Sequence, residues 1–270
     1  MQYKTIQNNI LSRYKQHGRI LPRRKTKDPY AIHISEVMLQ QTQVERVIPY
    51  FHQRMKDFPD YKTLAEASKT DLLRHWSGLG FNSRALRLQD CARKIITNDE
   101  GRMTNDRAEL MSLPGIGPYT SAAIMAFARN KEVPVIDTNI RRVLIFLFKL
   151  DEKISMKDLE IFASKIIPKG KSRDRHNALM DYGALELTAR KTKIKPISKQ
   201  SKFEGSDREV RGALLKKLVQ NSEPSDFAED TCRVQSFMED FPHKNVKKIV
   251  NDMQKEGLIK VKKGILTIAE

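Results

Sequence analysis

Cysteine is nearly absent: Cys91 and Cys232 are the two thiols in 270 residues. So few cannot build a disulfide scaffold, a four-thiolate zinc site or an iron–sulfur cluster. They fit a reducing compartment, so the expected location is cytoplasmic (nucleoid-associated) or otherwise intracellular. Long apolar runs are missing too. The longest, such as Ser121 to Ala128, fall far short of the roughly 20 residues that span a bilayer, and no membrane partner is expected. The opening residues MQYKTIQNN lack the apolar core of a secretory signal. Acid is in deficit, with 33 Asp and Glu against 50 Lys and Arg and a net charge of +17. That excess excludes an acidic solvating tail and points to a polyanionic partner, most simply nucleic acid.

The charge is unevenly placed. Residues 204–270 carry 12 basic and 12 acidic side chains and are neutral overall. Residues 1–203 therefore hold the whole excess, and Arg190 to Lys202 (RKTKIKPISKQSK) supplies six positive charges and no acid. The polyanion is expected on the first two-thirds of the chain, with the basic run read equally well as a solvated linker.

Helical periodicity dominates to about residue 190. Ile34, Val37, Val44, Val47, Ile48, Phe51 and Met55 recur at the spacing of one helix face. Thr63 to His75 and Ala85 to Ile96 read as helices separated by the turn GLGFNSR. LPGIG (Leu113 to Gly117) opens an apolar helix over Pro118 to Ala128, and Asp137 and Thr138 stand as caps before Asn139 to Leu150. No strand pattern precedes residue 255, so the main domain is expected to be all-α. After the basic run, Ser206 and Glu209 form a capping-box pattern before Val210 to Leu218. Helices over Cys232 to Met238 and Lys244 to Glu256 follow, then GLIKVKKGILTIAE with a hairpin turn at Lys263–Gly264. Three helices and a hairpin give a small winged-helix-like α+β domain, equally suited to partner contact and to groove binding. The division expected is 1–189, a basic linker over 190–203, and 204–270.

LPGIGPYT is the most informative short stretch. Gly115 and Gly117 allow backbone conformations closed to other residues and leave room for close approach. The turn runs into a helix N-terminus, where free N–H groups and the dipole favour a phosphate. Gly115, Ile116, Gly117 and Thr120 are the candidate phosphate contacts. Two carboxyls invite a division of labour. Glu36, flanked by Val37, Met38 and Leu39, has the apolar neighbours that raise a carboxyl pKa and suit an acid. Asp137, as a helix cap, is expected to stay ionised. Such pairs share work at one centre in glycoside hydrolysis, although a plain cap and a surface carboxylate explain each residue singly.

SEVMLQQTQV, GLGFNSR, LPGIGPYT, IDTNIRRV and NALMDYGA stand in the order and spacing of the helix-hairpin-helix DNA glycosylases. The chain resembles most the adenine glycosylases of the MutY type over residues 20–203. The resemblance implies a helix-hairpin-helix fold of two helical subdomains and a base-excision-repair enzyme without added cofactor. Its implied activity is monofunctional hydrolysis of adenine mispaired with 8-oxoguanine or guanine in double-stranded DNA. Residue by residue, it implies that Glu36 protonates the base and Asp137 stabilises the oxocarbenium-like sugar. Tyr119 stands where lyase-type relatives carry a Schiff-base lysine, and Asn139 follows Asp137 as in the family motif. Arg24 and Asn177 line the base pocket, while Gln41 and Phe81 wedge into the base stack.

The sequence departs from the family in three places. The positions of the four cluster-ligating cysteines read Leu187, Ile194, Ile197 and Phe203, which predicts a cluster-free protein with a hydrophobic plug in its place. The usual LPWR reads LPRR, so a pocket aromatic becomes Arg23. Residues 204–270 do not resemble the Nudix-like domain with which adenine glycosylases read 8-oxoguanine, which leaves opposite-base recognition and the role of this segment open. A thymine or uracil mismatch glycosylase on the same scaffold is the nearest alternative. A non-catalytic lesion- or DNA-structure-binding protein is the alternative of another class.

Overall fold

A computed structural model describes residues 2–99, 101–197, 202–220 and 233–270. Among them the structure is helical apart from one two-stranded antiparallel sheet. The chain forms two compact units, each drawn from separate stretches of sequence.

The first unit comprises Met1–Glu36, Met103–Ser112 and Ile116–Lys199. Its helices are α1 (Gln2–His17), the start of α2 (Pro29–Leu39), α7 (Arg107–Ser112), α8 (Pro118–Arg129), α9 (Thr138–Phe148), α10 (Met156–Lys165), α11 (Ser172–Leu185) and the short α12 (Ala189–Thr192). Helix α11 is the hub, packing against α1, α8 and α9. Its crossing with α9 is close because residue 183 is glycine. A Cβ there would lie 2.9 Å from Asn139 Cβ and 3.0 Å from Asn139 O. His176 on α11 is buried, and burial pushes its imidazole down to about 3. The neutral ring accepts from Val135 N at 3.1 Å and so holds the strand-like approach to α9.

The second unit comprises Val37–Arg102, Leu113–Gly115 and Gln200–Glu270. It contains α3 (Val44–Asp57), α4 (Tyr61–Glu66), α5 (Lys69–Trp76), α6 (Ser83–Asp99), α13 (Asp207–Gln220), α14 (Val234–Asp240), α15 (Val246–Lys255), β1 (Ile259–Lys262) and β2 (Ile265–Ile268). The hairpin pairs Lys262 with Ile265 around Lys263–Gly264, both left-handed as a tight two-residue turn requires. The described residues of 204–270 thus form helices plus a hairpin, and they pack onto α5 through α13. Arg74 donates to Val219 O at 3.4 Å. The Glu270 carboxylate accepts from Lys69 N and Thr70 N, each at 3.0 Å, and caps α5.

Local expectations differ from the structure in several places. The apolar face expected to run from Ile34 to Met55 is broken between α2 and α3, where Gln41 turns left-handed (φ 56°). Thr63 to His75 is likewise two helices, because Ser68 accepts from Asp71 N and starts α5 afresh. The Ser206–Glu209 capping box does not form: the Glu209 carboxylate takes Gly205 N at 2.6 Å and Ser206 Oγ donates to Phe203 O. Helix α14 begins at Val234, and Cys232, placed in that helix by the sequence, lies outside the described residues. No hydrophobic plug forms from the four cluster positions. Ile194 is buried and Leu187 partly so, but Ile197 is 70% and Phe203 59% exposed. Flanking charge does not decide the outcome, because Ile194, between Lys193 and Lys195, is the buried one. The segment is held through its backbone instead. Arg142 donates to Leu187 O at 2.6 Å and Gly183 O at 2.7 Å, and Arg141 reaches Lys195 O at 3.4 Å.

Candidate active site

The first unit brings Glu36, Arg23, Arg24 and Asn177 around one small recess, also lined by Thr26, Ile32, Phe127 and Arg173, with Tyr119 outside the lining and bonded to Glu36. Glu36 lies on α2, 2% exposed, so it is no surface carboxylate. Its environment is not the apolar one its sequence neighbours imply. Arg23 Nη1 donates to Oε1 at 2.6 Å, and Tyr119 Oη donates to Oε2 at 2.8 Å. Both carboxylate oxygens therefore take a donor. The Arg23 guanidinium also stacks over Phe127, 5.5 Å from the ring centroid. It fills the recess, whose free volume of about 10 Å³ holds one water and no base.

Tyr119 is the second residue of α8, directly after the hairpin. Burial pushes its phenol well above the usual range; the charges of Glu36 and Asp137 raise it further, with Arg23 opposing. The hydroxyl therefore stays protonated and remains a donor to Glu36. Asp137 caps α9, accepting from Ile140 N at 2.6 Å. Burial raises its carboxyl above the ordinary carboxylate range, against the Ile140 and Asn139 hydrogen bonds and the Arg142 charge. The apolar setting expected of Glu36 is replaced by the Arg23 guanidinium, and Asp137, expected to be held ionised by N–H donors, has the Ile140 donor but is raised by burial. Asp137 does not line the recess; Tyr119, bonded to one carboxyl and charge-coupled to the other, links the two. Asn139 passes Arg142 to Asp137, accepting from Arg142 Nη2 at 2.7 Å and donating to Asp137 Oδ2 at 3.3 Å.

Arg24 is held in place rather than free for a ligand. Its guanidinium meets Asp181 in a two-pronged pair of 2.7 and 2.8 Å and also donates to Arg19 O at 3.0 Å. Burial alone would raise the Asp181 carboxyl, but the hydrogen bonds from Arg24 and Arg19 outweigh it and bring it below the usual range. Asn177 is 3% exposed, and its Oδ1 has no hydrogen-bond partner. A buried acceptor without a donor costs on the order of 1–3 kcal/mol and favours a ligand N–H.

The hairpin joins α7 to α8. Gly115 is left-handed (φ 76°), and a Cβ there would lie 3.0 Å from Arg87 Cβ. Gly117 departs from expectation: it is extended (φ −95°, ψ −175°) and needs no special conformation. Its contribution is space, since a Cβ would meet nothing within 4 Å. As the N-cap of α8 it supplies no side-chain acceptor, and Pro118 has no N–H. Ile116 and Thr120 are buried, which leaves their backbone amides as the groups a phosphate could use.

In the second unit, Gln41 and Phe81 are two of six described non-glycine residues with positive φ, at 56° and 49°. A bulky residue in that region is strained, and such strain gathers at functional sites. Sequence reasoning missed what holds them. Buried Arg84 donates to the carbonyls of Val37, Met38 and Gln40 at 2.6, 3.0 and 2.7 Å, and to those of Leu79, Gly80 and Phe81 at 3.3, 2.9 and 3.3 Å. One guanidinium, pushed down to about 10 by burial, ties both loops together. The signal was present, because Arg84 ends the GLGFNSR motif. Asp181 and Gly183 were likewise inside NALMDYGA without being singled out.

Residues 34–169 match the family model described as HhH-GPD superfamily base excision DNA repair protein. The chain belongs to the HhH-GPD superfamily. Relatives of this HhH-GPD chain include the adenine DNA glycosylase of Mycolicibacterium smegmatis, 35% identical over 236 residues and covered over 80% of each chain. That of Buchnera aphidicola subsp. Baizongia pistaciae is 39% identical over 183 residues, 65% of this chain and 51% of that one. The Homo sapiens protein is 35% identical over 196 residues, 68% of this chain and 36% of that one. The chain thus spans four-fifths of the first relative and about half or less of the others. Among solved structures, a thermostable thymine-DNA glycosylase superposes with a TM-score of 0.66 at 30% identity, over 70% of this chain and 89% of that one. A non-covalent endonuclease III–DNA complex superposes with a TM-score of 0.63 at 20% identity, over 73% and 89%, and shares the fold.

The cluster expected of such a fold has no place in this HhH-GPD chain. Leu187, Ile194, Ile197 and Phe203 offer hydrocarbon where thiolates are needed. Among the described residues no group of three or more His, Cys, Asp or Glu could hold a metal ion. None of the described helices is long and apolar enough to cross a membrane.

Proposed function

We propose that this chain is a monofunctional DNA glycosylase that hydrolyses the N-glycosidic bond of adenine mispaired with guanine or 8-oxoguanine in duplex DNA. The observation that carries the reading is the Glu36–Tyr119–Asp137 constellation beside the unpartnered Asn177 Oδ1. Adenine presents an N–H₂ donor and a ring-nitrogen acceptor, and Asn177 Oδ1 suits the former. The base must be extruded to reach such a recess, with Gln41 and Phe81 filling the gap and the hairpin amides gripping a phosphate. Entry displaces Arg23 from Glu36 and Phe127; the freed carboxylate takes a proton from solvent and delivers it to the ring as the base leaves. The sugar then gathers positive charge, and Asp137 stabilises it by several kcal/mol, on the order of 3. Water completes the hydrolysis. Tyr119 offers a phenol and no amine, so strand cleavage through an imine is not part of this reaction.

One observation favours a second reading. A guanidinium in the recess, where the family resemblance implies an aromatic, would stabilise a base that leaves as an anion, as thymine or uracil does. The likeness to a thymine-DNA glycosylase leans the same way. Single-turnover release of base from A·8-oxoG, A·G, T·G and U·G duplexes separates them. Adenine release is expected; product from the pyrimidine mispairs alone would overturn the substrate assignment. Asp137→Asn is expected to lose about 10²- to 10³-fold in rate while keeping duplex affinity. Wild type and variant equally inert on every mispair would favour a binding protein.

A further inference from the structure

We infer that the first unit holds a halide site: a chloride ion between Arg175 and Gln7 fills the recess where α1 packs on α11 and neutralises a guanidinium that the fold leaves alone. Arg175, near the start of α11, is 3% exposed. Yet among the described residues no hydrogen bond, ion pair or ring contact reaches its guanidinium, and Nη1 is sealed from solvent without a partner. The other buried arginines are accounted for. Arg84, Arg141 and Arg142 donate to backbone carbonyls, and Arg54 lies over Phe58 and Trp76. Burial alone pushes Arg175 down to about 10, and no carboxylate opposes it. That value is far above neutrality, so the side chain stays charged. A buried charge is costly unless it is paired, which leaves the pairing to an anion from outside the chain.

The recess beside it has the size and the lining for one. Gln7, Ile10, Leu11, Phe148, Arg175 and Leu179 enclose a free volume of about 10 Å³. That is room for a water or a monatomic ion, and too little for a phosphate or a carboxylate. Two of the six carry polar groups. Gln7 Nε2 donates one hydrogen to Ile166 O and keeps a second, and the Arg175 fork keeps all of its donors. No carboxylate lines the recess, and its other walls are apolar. Donors set in apolar walls select a weakly hydrated anion, chloride or bromide, over strongly hydrated fluoride, because the ion must give up its water to enter. Bound there, the ion ties α1 to α11, the hub that carries Asn177 and Asp181. The site is independent of the excision chemistry, since none of the residues that line this recess lines the one at Glu36.

The test melts the full chain by circular dichroism while chloride replaces gluconate at constant ionic strength. Arg175→Met is melted beside it, so that general salt effects cancel in the difference. Wild type is expected to gain about 3 °C or more, saturably below about 0.1 M chloride. Fluoride should give no such gain, and Arg175→Met none with either ion. Gln7→Leu keeps the guanidinium and should need about tenfold more chloride for half the effect; it also serves if Arg175→Met fails to fold. Crystals of the wild type soaked in bromide should show an anomalous peak against the Arg175 guanidinium. An equal chloride response in Arg175→Met, an equal gain in fluoride or the absence of the bromide peak overturns the inference. A peak without saturable stabilisation means an adventitious ion only, and overturns it too.

Discussion

Replacing Arg84 with methionine tests how the wedge loops are held. Methionine keeps much of the buried length but removes every donor. The carbonyls of Val37, Met38 and Gln40, at the C-terminal end of α2, would lose their shortest side-chain partner. Leu79, Gly80 and Phe81 lose a weaker one, since Trp76 Nε1 still reaches Gly80 O and the backbone N–H of Arg84 still reaches Phe81 O. Val37 O keeps Gln40 N at 3.4 Å and Gln40 O keeps Thr42 Oγ1 at 3.3 Å, so one orphaned and two weakened carbonyls at ~1–2 kcal/mol each set an upper limit of about 3–6 kcal/mol. Relief of a buried guanidinium, already pushed down to about 10, returns part of that. A net loss of about 3 kcal/mol lowers the melting temperature by roughly 6–12 °C for a chain of this size. Because the same bonds set Gln41 and Phe81, single-turnover excision is expected to fall at least about tenfold at a temperature where the variant is folded. Arg84→Lys, with one ammonium unable to serve both loops, should lie between. Melting followed by circular dichroism, single-turnover kinetics and amide exchange over residues 40–42 and 79–82 would read all three effects. A methionine variant that melts within about 2 °C of wild type and retains the full rate would refute the role.

Tyr119→Phe removes the hydroxyl on Glu36 Oε2, a hydrogen bond to a charged group of ~1.5–3 kcal/mol, and should slow excision about 10- to 100-fold; an unchanged rate counts against the constellation. The variant tests geometry, because the raised phenol pKa keeps the wild-type hydroxyl protonated through the neutral range. Gly183→Ala drives a methyl into the α9 backbone at Asn139, at a cost of ~1–3 kcal/mol. Excision should fall more than stability, since Asn139 orients toward Asp137; melting and rate both unchanged would show that the crossing has slack. His33 and His176, buried neutral and pushed down to about 4 and about 3, bind protons far more readily unfolded. Stability should therefore fall as pH drops below about 6.5, by ~1.4 kcal/mol per pH unit for each ring until its folded value is reached. Chemical denaturation between pH 7 and 4 measures the slope, and a flat profile would contradict the burial of both rings.

Much of the fold was legible because local rules set it. Asp137 caps α9, Pro118 opens α8, and Lys263–Gly264 turns the hairpin, each by chemistry confined to a few neighbouring residues. The break at Gln41 was not legible, since QQTQ contains no glycine or proline and its left-handed residue is stabilised by Arg84 from another helix. The same holds for Glu36. Its sequence neighbours are apolar, yet a helix presents neighbours to different faces, and the face that matters meets Arg23 and Tyr119. LPRR marked Arg23 as a departure, but only packing against Phe127 showed that the guanidinium occupies the recess itself. The four apolar cluster positions misled for a further reason. Hydrophobicity predicts burial only where something is available to bury against, and Ile197 stays in water while Ile194, flanked by two lysines, does not.

Arg141 and Arg142 grip the segment from Gly183 to Lys195 by its carbonyls, and every residue has a carbonyl. Side chains along that segment are consequently released from the task of fixing its course. Substitutions there can accumulate without altering the path, and neither a chelator nor an oxidant has a bond to break.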